Sequence, residues 1–132
     1  MAKAILPKVI DDADRLFCDR YTGSNGGMKA TKLSLYPFMK EIKDRLFASV
    51  LLDQASQSPR LTIFSGHDTV IAPVLAVLGV YREEGMCIWP PYASRIIFEL
   101  YVPASAPIPL PGYPLEEART SVMVRVLFNG MK

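Results

Sequence analysis

The sequence predicts one domain of the α/β class, and three observations lead to this prediction. Two stretches in the N-terminal half carry apolar residues at helical spacing, with charged residues between them. A short apolar and β-branched run at residues 61–64 precedes an almost wholly apolar stretch at 70–80, which indicates a strand followed by a helix. Two further strand-like runs lie at 95–102 and 121–128. Helices that alternate with strands are typical of α/β domains, and 132 residues are enough for one such domain.

The first predicted helix covers about residues 4–20. Its apolar residues recur at helical spacing: Ile10, Ala13, Leu16 and Phe17. The aspartates between them are expected to form a solvated face and no metal site. Residues 22–27 are expected to form a flexible loop. This loop lacks the Gly-Lys-Ser/Thr ending of a phosphate-binding loop, so we expect no phosphate cradle there.

The second predicted helix, at 35–55, has the most regular pattern in the chain. One apolar stripe runs along it: Leu35, Phe38, Met39, Ile42, Leu46 and Val50. This stripe is expected to pack in the core. Ser34 is a suitable N-cap, and Pro37 then falls in the first turn, where proline is tolerated. Glu41 and Arg45 are spaced for an i,i+4 ion pair.

The only histidine of the chain, His67, and the adjacent Asp68 lie between the predicted strand 61–64 and the predicted helix 70–80. Pro73 places the start of this helix near residue 69 or 70, because proline fits best in a first turn. Ligands of α/β sheets gather beyond the carboxyl ends of strands, and a helix N-terminus attracts anions. The pair could therefore bind an anion and move a proton. The alternative is that His67 is only a hydrogen-bonded turn residue and Asp68 only a helix N-cap.

The C-terminal third is predicted to hold two strands joined by a long connection. Residues 81–86 are polar and loop-like, and the prolines make 89–92 rigid, so that Trp89 and Tyr92 either line a pocket or seal the core. In the strand 95–102, we expect a local charge pair between Arg95 and Glu99.

Five prolines exclude a central strand or a helix from residues 103–114, which are expected to form an extended surface connection. The last strand, 121–128, is followed by Asn129-Gly130, a strong two-residue hairpin signal. Because only two residues come after this dipeptide, we expect the domain to lack a strand at its C-terminus.

Composition excludes several classes of protein. The net charge of +2 gives no reason to expect nucleic acid or an anionic membrane as a partner. The chain shows no signal peptide and no apolar segment long enough to span a bilayer. Cys18 and Cys87 do not have metal-site spacing, and no cofactor is expected. The two cysteines could form a disulfide, pair with cysteines elsewhere, or remain buried thiols.

The segment around the His67–Asp68 dyad and two later motifs resemble the C-terminal portion of the histidine acid phosphatases. The motifs are Phe-Ser-Gly-His-Asp-Thr at 64–69, Pro-Pro-Tyr-Ala-Ser-Arg at 90–95 and Phe-Glu-Leu-Tyr at 98–101. The resemblance implies the phosphoglycerate-mutase-like (histidine phosphatase) three-layer fold. It also implies that His67 contacts the phosphoryl group of a phosphate monoester and that Asp68 is the proton donor to the leaving oxygen.

One departure limits what the resemblance implies. The family's nucleophile is a histidine in an Arg-His-Gly motif, and this chain has neither that motif nor a second histidine. We therefore expect residues 1–132 to be a single partial domain, incomplete at both ends and inactive alone. Its partner would be the missing N-terminal portion of the domain. The alternative function is a non-catalytic, truncated product that binds an anion or depends on a partner chain.

The finer resemblance is to the 2-phosphoxylose phosphatase branch of the family. A glycine-rich loop ahead of a Tyr-Pro-Phe helix, at residues 36–38, carries this likeness. It implies a phosphoxylose-bearing proteoglycan as substrate and a role in glycosaminoglycan biosynthesis. The family as a whole implies a place in the secretory pathway: Golgi, lysosomal or secreted.

Overall fold

The computed structural model describes residues 2–49, 59–82, 87–101 and 122–130. Its elements, in chain order, are helix α1 (Ala2–Thr22), helix α2 (Gly27–Ala48), helix α3 (Asp68–Leu78), a 3-10 turn (Val80–Arg82), strand β1 (Ile96–Tyr101) and strand β2 (Met123–Phe128). Two compact units result: unit 1 is Met1–Pro37 with Ser65–Ser94, and unit 2 is Phe38–Phe64 with Arg95–Lys132. Helices with a small two-stranded sheet are consistent with the predicted α/β class. In the described residues, no helix has the length and apolar character needed to cross a membrane.

Helix α1 confirms the first predicted helix and extends it by two residues at each end. Its buried face lies near its C-terminal end and consists of residues three and four apart: Phe17, Cys18, Tyr21 and Thr22. Phe17 and Tyr21 pack edge to face, with ring centroids 5.2 Å apart. The predicted apolar face is wrong for Ile10 and Leu16, which are more than half exposed. Leu16 points away because successive helical residues are rotated by about 100°.

Helix α2 begins at Gly27, eight residues before the predicted start, so Ser34 is not its N-cap and Pro37 lies inside the helix. Residues 23–26 form the connecting turn, which is shorter than the predicted loop. The Thr31 hydroxyl lies 2.7 Å from the carbonyl of Gly27 and 3.2 Å from that of Tyr21. This bridge fixes the first turn of α2 against the end of α1 within unit 1. Helix formers after Gly27 then continue the helix without a break.

Helix α3 confirms the buried helix predicted at 70–80, with a start at Asp68 and an end at Leu78. Its core-facing residues are contiguous: Ala72, Pro73, Val74, Leu75 and Ala76. Gly79 ends the helix in the left-handed conformation, with φ of 86°, and its N–H reaches the carbonyl of Ala76 at 3.0 Å. The predicted place of Pro73 was wrong. Since the helix begins earlier, Pro73 is its sixth residue and removes one interior hydrogen bond, to the carbonyl of Thr69.

Tyr81 corrects the prediction of a polar loop at 81–86. It lies in the 3-10 turn and is only 1% exposed, which makes it one of the most buried large side chains of the described residues. Its hydroxyl donates a hydrogen bond of 2.7 Å to the carbonyl of Ile88. Burial raises the pKa of this phenol to about 12. Residues 83–86 of the predicted loop lie outside the described residues.

Unit 2 contains the antiparallel sheet, and both C-terminal strands are confirmed. β1 and β2 pair in a register that runs from Ile96 opposite Phe128 to Tyr101 opposite Met123. The predicted Arg95–Glu99 pair is wrong, because β1 begins after Arg95. Glu99 instead pairs across the sheet with Arg125, whose Nε lies 2.6 Å from the Glu99 carboxylate. The connection predicted at 103–114 lies outside the described residues.

Asn129 and Gly130 form a turn directly after β2, with φ of 51° and 89°. A type I′ hairpin turn requires a positive φ at both central residues, so the backbone agrees with the sequence signal. The backbone N–H of Arg95 donates to the Asn129 side chain at 2.9 Å, and the N–H of Asn129 donates to the carbonyl of Arg95 at 3.0 Å. These two bonds close the end of the sheet.

The buried strand predicted at 61–64 was wrong. Leu61 and Ile63 are 75% and 80% exposed, and this segment is not part of a strand. In the described residues, the sheet pairs only β1 with β2, so residues 61–64 have no ladder partner there. Phe64 instead packs edge to face against Phe38 of α2, at 5.2 Å, and below the Arg45 guanidinium. The predicted Glu41–Arg45 pair of α2 is confirmed at 2.6 Å.

Candidate functional site

The His67–Asp68 pair stands at the first turn of α3, in unit 1. His67 is the N-cap residue, with an extended backbone (φ −125°, ψ 168°) and no capping hydrogen bond from its side chain. Its carbonyl instead accepts the N–H groups of Val70 and Ile71, at 2.9 and 3.0 Å. Asp68 is therefore the first helical residue and not the N-cap. The imidazole is 77% exposed, so a ligand can approach it from solvent.

The Asp68 carboxylate is held by three donors. Its Oδ1 accepts the backbone N–H of Thr69 at 2.6 Å and also contacts Nδ1 of His67. Its Oδ2 accepts the indole N–H of Trp89. The side chain is 19% exposed. Both carboxylate oxygens thus have protein partners, and the plane of the carboxylate is fixed.

These contacts lower the pKa of Asp68 below its ordinary value. The hydrogen bond from Trp89 is the largest cause, and the Thr69 N–H and the His67 ring act in the same direction, while partial burial opposes them. Asp68 is therefore a carboxylate at neutral pH in the unliganded site. A proton donor needs the opposite shift. Negative charge from a bound phosphate would supply that shift, because a like charge disfavours ionisation.

The sequence predicts free N–H groups at this helix start that could hold an anion. The N–H of Thr69 is taken by Asp68, and those of Val70 and Ile71 by the His67 carbonyl. Three of the first four N–H groups of α3 therefore already have acceptors, and the His67 ring is the side chain of the pair that could hold an anion there. Because Nδ1 faces Asp68, Nε2 is the ring nitrogen that remains for another partner.

Sequence reasoning missed Trp89 as part of this site. Its indole stacks on Phe17 of α1, with centroids 4.2 Å apart and planes 13° from parallel. Its backbone N–H donates to the Asp14 carboxylate at 2.8 Å, so Asp14 is not merely part of a solvated face. The proline-flanked motif marked Trp89 as a residue that could line a pocket, but nothing in the sequence indicated the contact with Asp68. Tyr92 is fully exposed and neither lines this site nor seals the core.

A disulfide joins Cys18 to Cys87, which settles the alternatives that the sequence left open for these cysteines. Their Cα atoms are 5.5 Å apart. Cys18 belongs to the buried face near the C-terminal end of α1, and Cys87 lies two residues before Trp89. The disulfide therefore anchors the segment that carries the indole. Among the described residues, no group of histidine, cysteine or acidic side chains is arranged to hold a metal ion.

Comparison with known proteins shows which proteins this chain is similar to. The model of the histidine phosphatase superfamily (branch 2) matches residues 11–129. The chain is similar to Counting factor 60 of Dictyostelium discoideum, with 33% identity over 53% of this chain. It is also similar to the lysosomal acid phosphatases of Bos taurus and Homo sapiens, with 41% identity over 45% of this chain in each case. Each match covers 15% of the relative's own length. No solved structure matches the chain.

Proposed function

Because the chain belongs to the histidine phosphatase superfamily (branch 2), we propose that it takes part in the hydrolysis of phosphate monoesters. The observation that carries this proposal is the His67–Asp68 dyad at the start of α3, inside the matched residues. His67 contacts the phosphoryl group through Nε2. Asp68 donates a proton to the oxygen that leaves when the P–O bond breaks. Residues 1–132 form one partial domain of the complete enzyme.

The nucleophile of the reaction comes from outside this sequence. His67 is the only histidine, and no Arg-His-Gly motif is present. A phosphohistidine therefore cannot form here by the family route while His67 serves as the phosphate contact. The missing N-terminal portion of the domain would supply the nucleophile and the cationic groups that neutralise the phosphoryl oxygens.

A place in the secretory pathway, lysosomal or otherwise, is part of the proposal. Two of the similar proteins carry the name lysosomal acid phosphatase. The Cys18–Cys87 disulfide also fits an oxidising compartment. The narrower substrate, a phosphoxylose-bearing proteoglycan, rests only on the likeness of the residues ahead of 36–38 to the 2-phosphoxylose branch.

A non-catalytic role is the second candidate, and the absence of the nucleophile motif from the sequence favours it. The chain would then bind an anion through His67 or pair with another chain. Intact mass of the endogenous protein separates the two candidates, with capture by an antibody against residues 61–80. A mass well above 14.7 kDa supports the enzyme. A mass equal to 14.7 kDa, with no phosphatase activity in the captured material, supports the non-catalytic role.

Asp68→Asn tests the proton-donor role in the form that shows phosphatase activity. We expect hydrolysis of an alkyl phosphate, which has a poor leaving group, to slow by roughly 10²–10⁴-fold. Hydrolysis of p-nitrophenyl phosphate should slow far less, because its leaving group needs no proton. Asp12→Asn, which replaces a half-exposed aspartate of α1 that pairs with Arg15, is the matched control and should leave both rates unchanged. Equal slowing of the two esters by Asp68→Asn would refute the role.

A further inference from the structure

We propose that Trp89 is a positioning residue for the dyad, whose indole N–H keeps the Asp68 carboxylate turned toward the His67 ring. The proposal rests on the proposed function, because it assigns a task within the same site. Its geometric basis is that the two carboxylate oxygens of Asp68 have different partners. Oδ2 accepts the indole N–H, while Oδ1 accepts the Thr69 N–H at 2.6 Å and faces Nδ1 of His67.

The segment that carries Trp89 is held at three successive residues. Cys87 is disulfide-bonded to Cys18, and the carbonyl of Ile88 accepts the Tyr81 hydroxyl at 2.7 Å. The N–H of Trp89 donates to Asp14 at 2.8 Å. Since the indole also stacks on Phe17, both its ring plane and its N–H direction are fixed. A side chain held in this way can orient a second one.

The contact with Asp68 determines how the His67 ring is oriented. The imidazole is 77% exposed, and its ring contacts among the described residues are Asp68 and the Thr69 hydroxyl, which lies 3.5 Å from Nδ1. A rotation of the carboxylate would therefore release the ring, and Nε2 would lose its fixed direction. The titratable groups of this cluster are His67 beside Asp68, Tyr81 in the 3-10 turn, which interacts electrostatically with Asp68 and with Asp14, and Asp14 on α1, which accepts the Trp89 N–H.

The first test is Trp89→Phe. Phenylalanine keeps an aromatic ring for the stack on Phe17 and removes the indole N–H, together with the part of the bicyclic ring that carries it. In NMR titrations of the chain, we expect the Asp68 carboxyl carbon to titrate at higher pH than in the wild type, because a bond to the ionised form is lost. His67 is the only histidine, so its ring signals can be followed without ambiguity, and their order parameter should fall. Tyr92→Phe, an exposed aromatic in the same segment, is the matched control and should change neither. If the titration midpoint of the Asp68 carboxyl is the same in Trp89→Phe as in the wild type, the proposal is overturned.

The second test leaves Trp89 in place, so it does not depend on the folding of the first variant. Trp89 is the only tryptophan, and its fluorescence reports on its own surroundings alone. We expect its emission to change with pH as Asp68 titrates. This change should disappear in Asp68→Asn and persist in Asp14→Asn. If it persists in Asp68→Asn and disappears in Asp14→Asn, the indole reports on α1 and not on the dyad, and the positioning role is refuted.

Neither test involves phosphate, so its result is independent of the proposed function. Inorganic phosphate, added separately to the wild type, should shift the His67 ring signals. Absence of that shift would count against phosphate contact by His67 while the positioning result stands. In the form with phosphatase activity, Trp89→Phe should move the alkaline limb of the kcat profile to higher pH, because a donor of higher pKa stays protonated longer. A uniform loss of kcat without that displacement would overturn the proposal.

Discussion

Removal of the Cys18–Cys87 disulfide should lower the free energy of unfolding by about 2–4 kcal/mol. The two cysteines are 69 positions apart in the sequence. The chain-entropy relation for a loop of that length gives about 4.4 kcal/mol at 25 °C as the upper limit, since residual structure in the unfolded chain reduces the gain. A domain has about 5–15 kcal/mol of stability in total. The disulfide therefore accounts for a large share of what holds this chain folded.

Two forms of the protein separate the cross-link from the packing of the sulfur atoms. Cys18 is 2% exposed, and its Sγ lies 3.7 Å from the Thr22 hydroxyl. Substitution of both cysteines by alanine removes the cross-link together with this buried atom. Reduction of the wild type removes the cross-link alone. We expect the reduced protein to lose about 2–4 kcal/mol of its free energy of unfolding, and the double variant to lose slightly more.

Urea unfolding, followed by the fluorescence of Trp89 and by circular dichroism, measures both losses. The free energy of unfolding should also fall more steeply with urea concentration without the cross-link, because the unfolded chain then exposes more surface. The reasoning fails if the oxidised, reduced and double-variant proteins unfold at the same urea concentration. It also fails if both thiols of the native protein react with an alkylating reagent before any reduction.

Two further predictions concern helix α3. Leu75→Ala should lower the free energy of unfolding, measured by heat or urea, by about 2–5 kcal/mol, because Leu75 is 1% exposed. Its control is Leu33→Ala, at a site 69% exposed, which should change that free energy by less than about 0.5 kcal/mol. Equal effects of the two substitutions would contradict the assigned core. Gly79→Ala should cost about 1–2 kcal/mol, because φ is 86° at the end of the helix. Gly66→Ala is its control, since an added Cβ there would meet Val70 only at ordinary contact distances, the nearest 3.6 Å, and a similar loss at both glycines would argue against the left-handed cap.

Local patterns in the sequence predicted the elements that depend on neighbouring residues. The apolar stretch 70–80 gave α3 within two residues at each end, and the strand-like run 121–128 gave β2. Both rest on periodicity and local propensity. Local reasoning failed where a distant residue decides the outcome. Residues 61–64 have strand propensity, but a strand forms only when another strand accepts its hydrogen bonds.

The same distinction applies to the site. His67 and Asp68 are adjacent, so the sequence could place them together at the start of a helix, although the strand predicted before them does not form. Trp89 is 21 residues from Asp68 and 75 from Asp14. No periodic pattern links positions so far apart, and the pairing depends on how the 87–89 segment packs against α1. The two cysteines were the one sequence feature that could have indicated this packing, because a bond between them brings that segment to α1.

The lowered pKa of Asp68 bears on how the proposed reaction obtains its proton. Since Trp89, Thr69 and His67 all favour the ionised carboxylate, the free site carries a negative charge at neutral pH. A phosphate dianion at His67 would meet that charge at close range, whereas a monoanion meets less repulsion and brings a proton with it. The second pKa of a phosphate monoester is about 6, so the monoanion predominates below that pH. A monoanion bound there can pass its proton to Asp68, and the leaving oxygen can then take it. The contacts that keep Asp68 ionised would in this way select the protonated form of the substrate. The ionisation of the free substrate would then appear in the pH dependence of kcat/KM, while the kcat profile reports Asp68 in the enzyme–substrate complex.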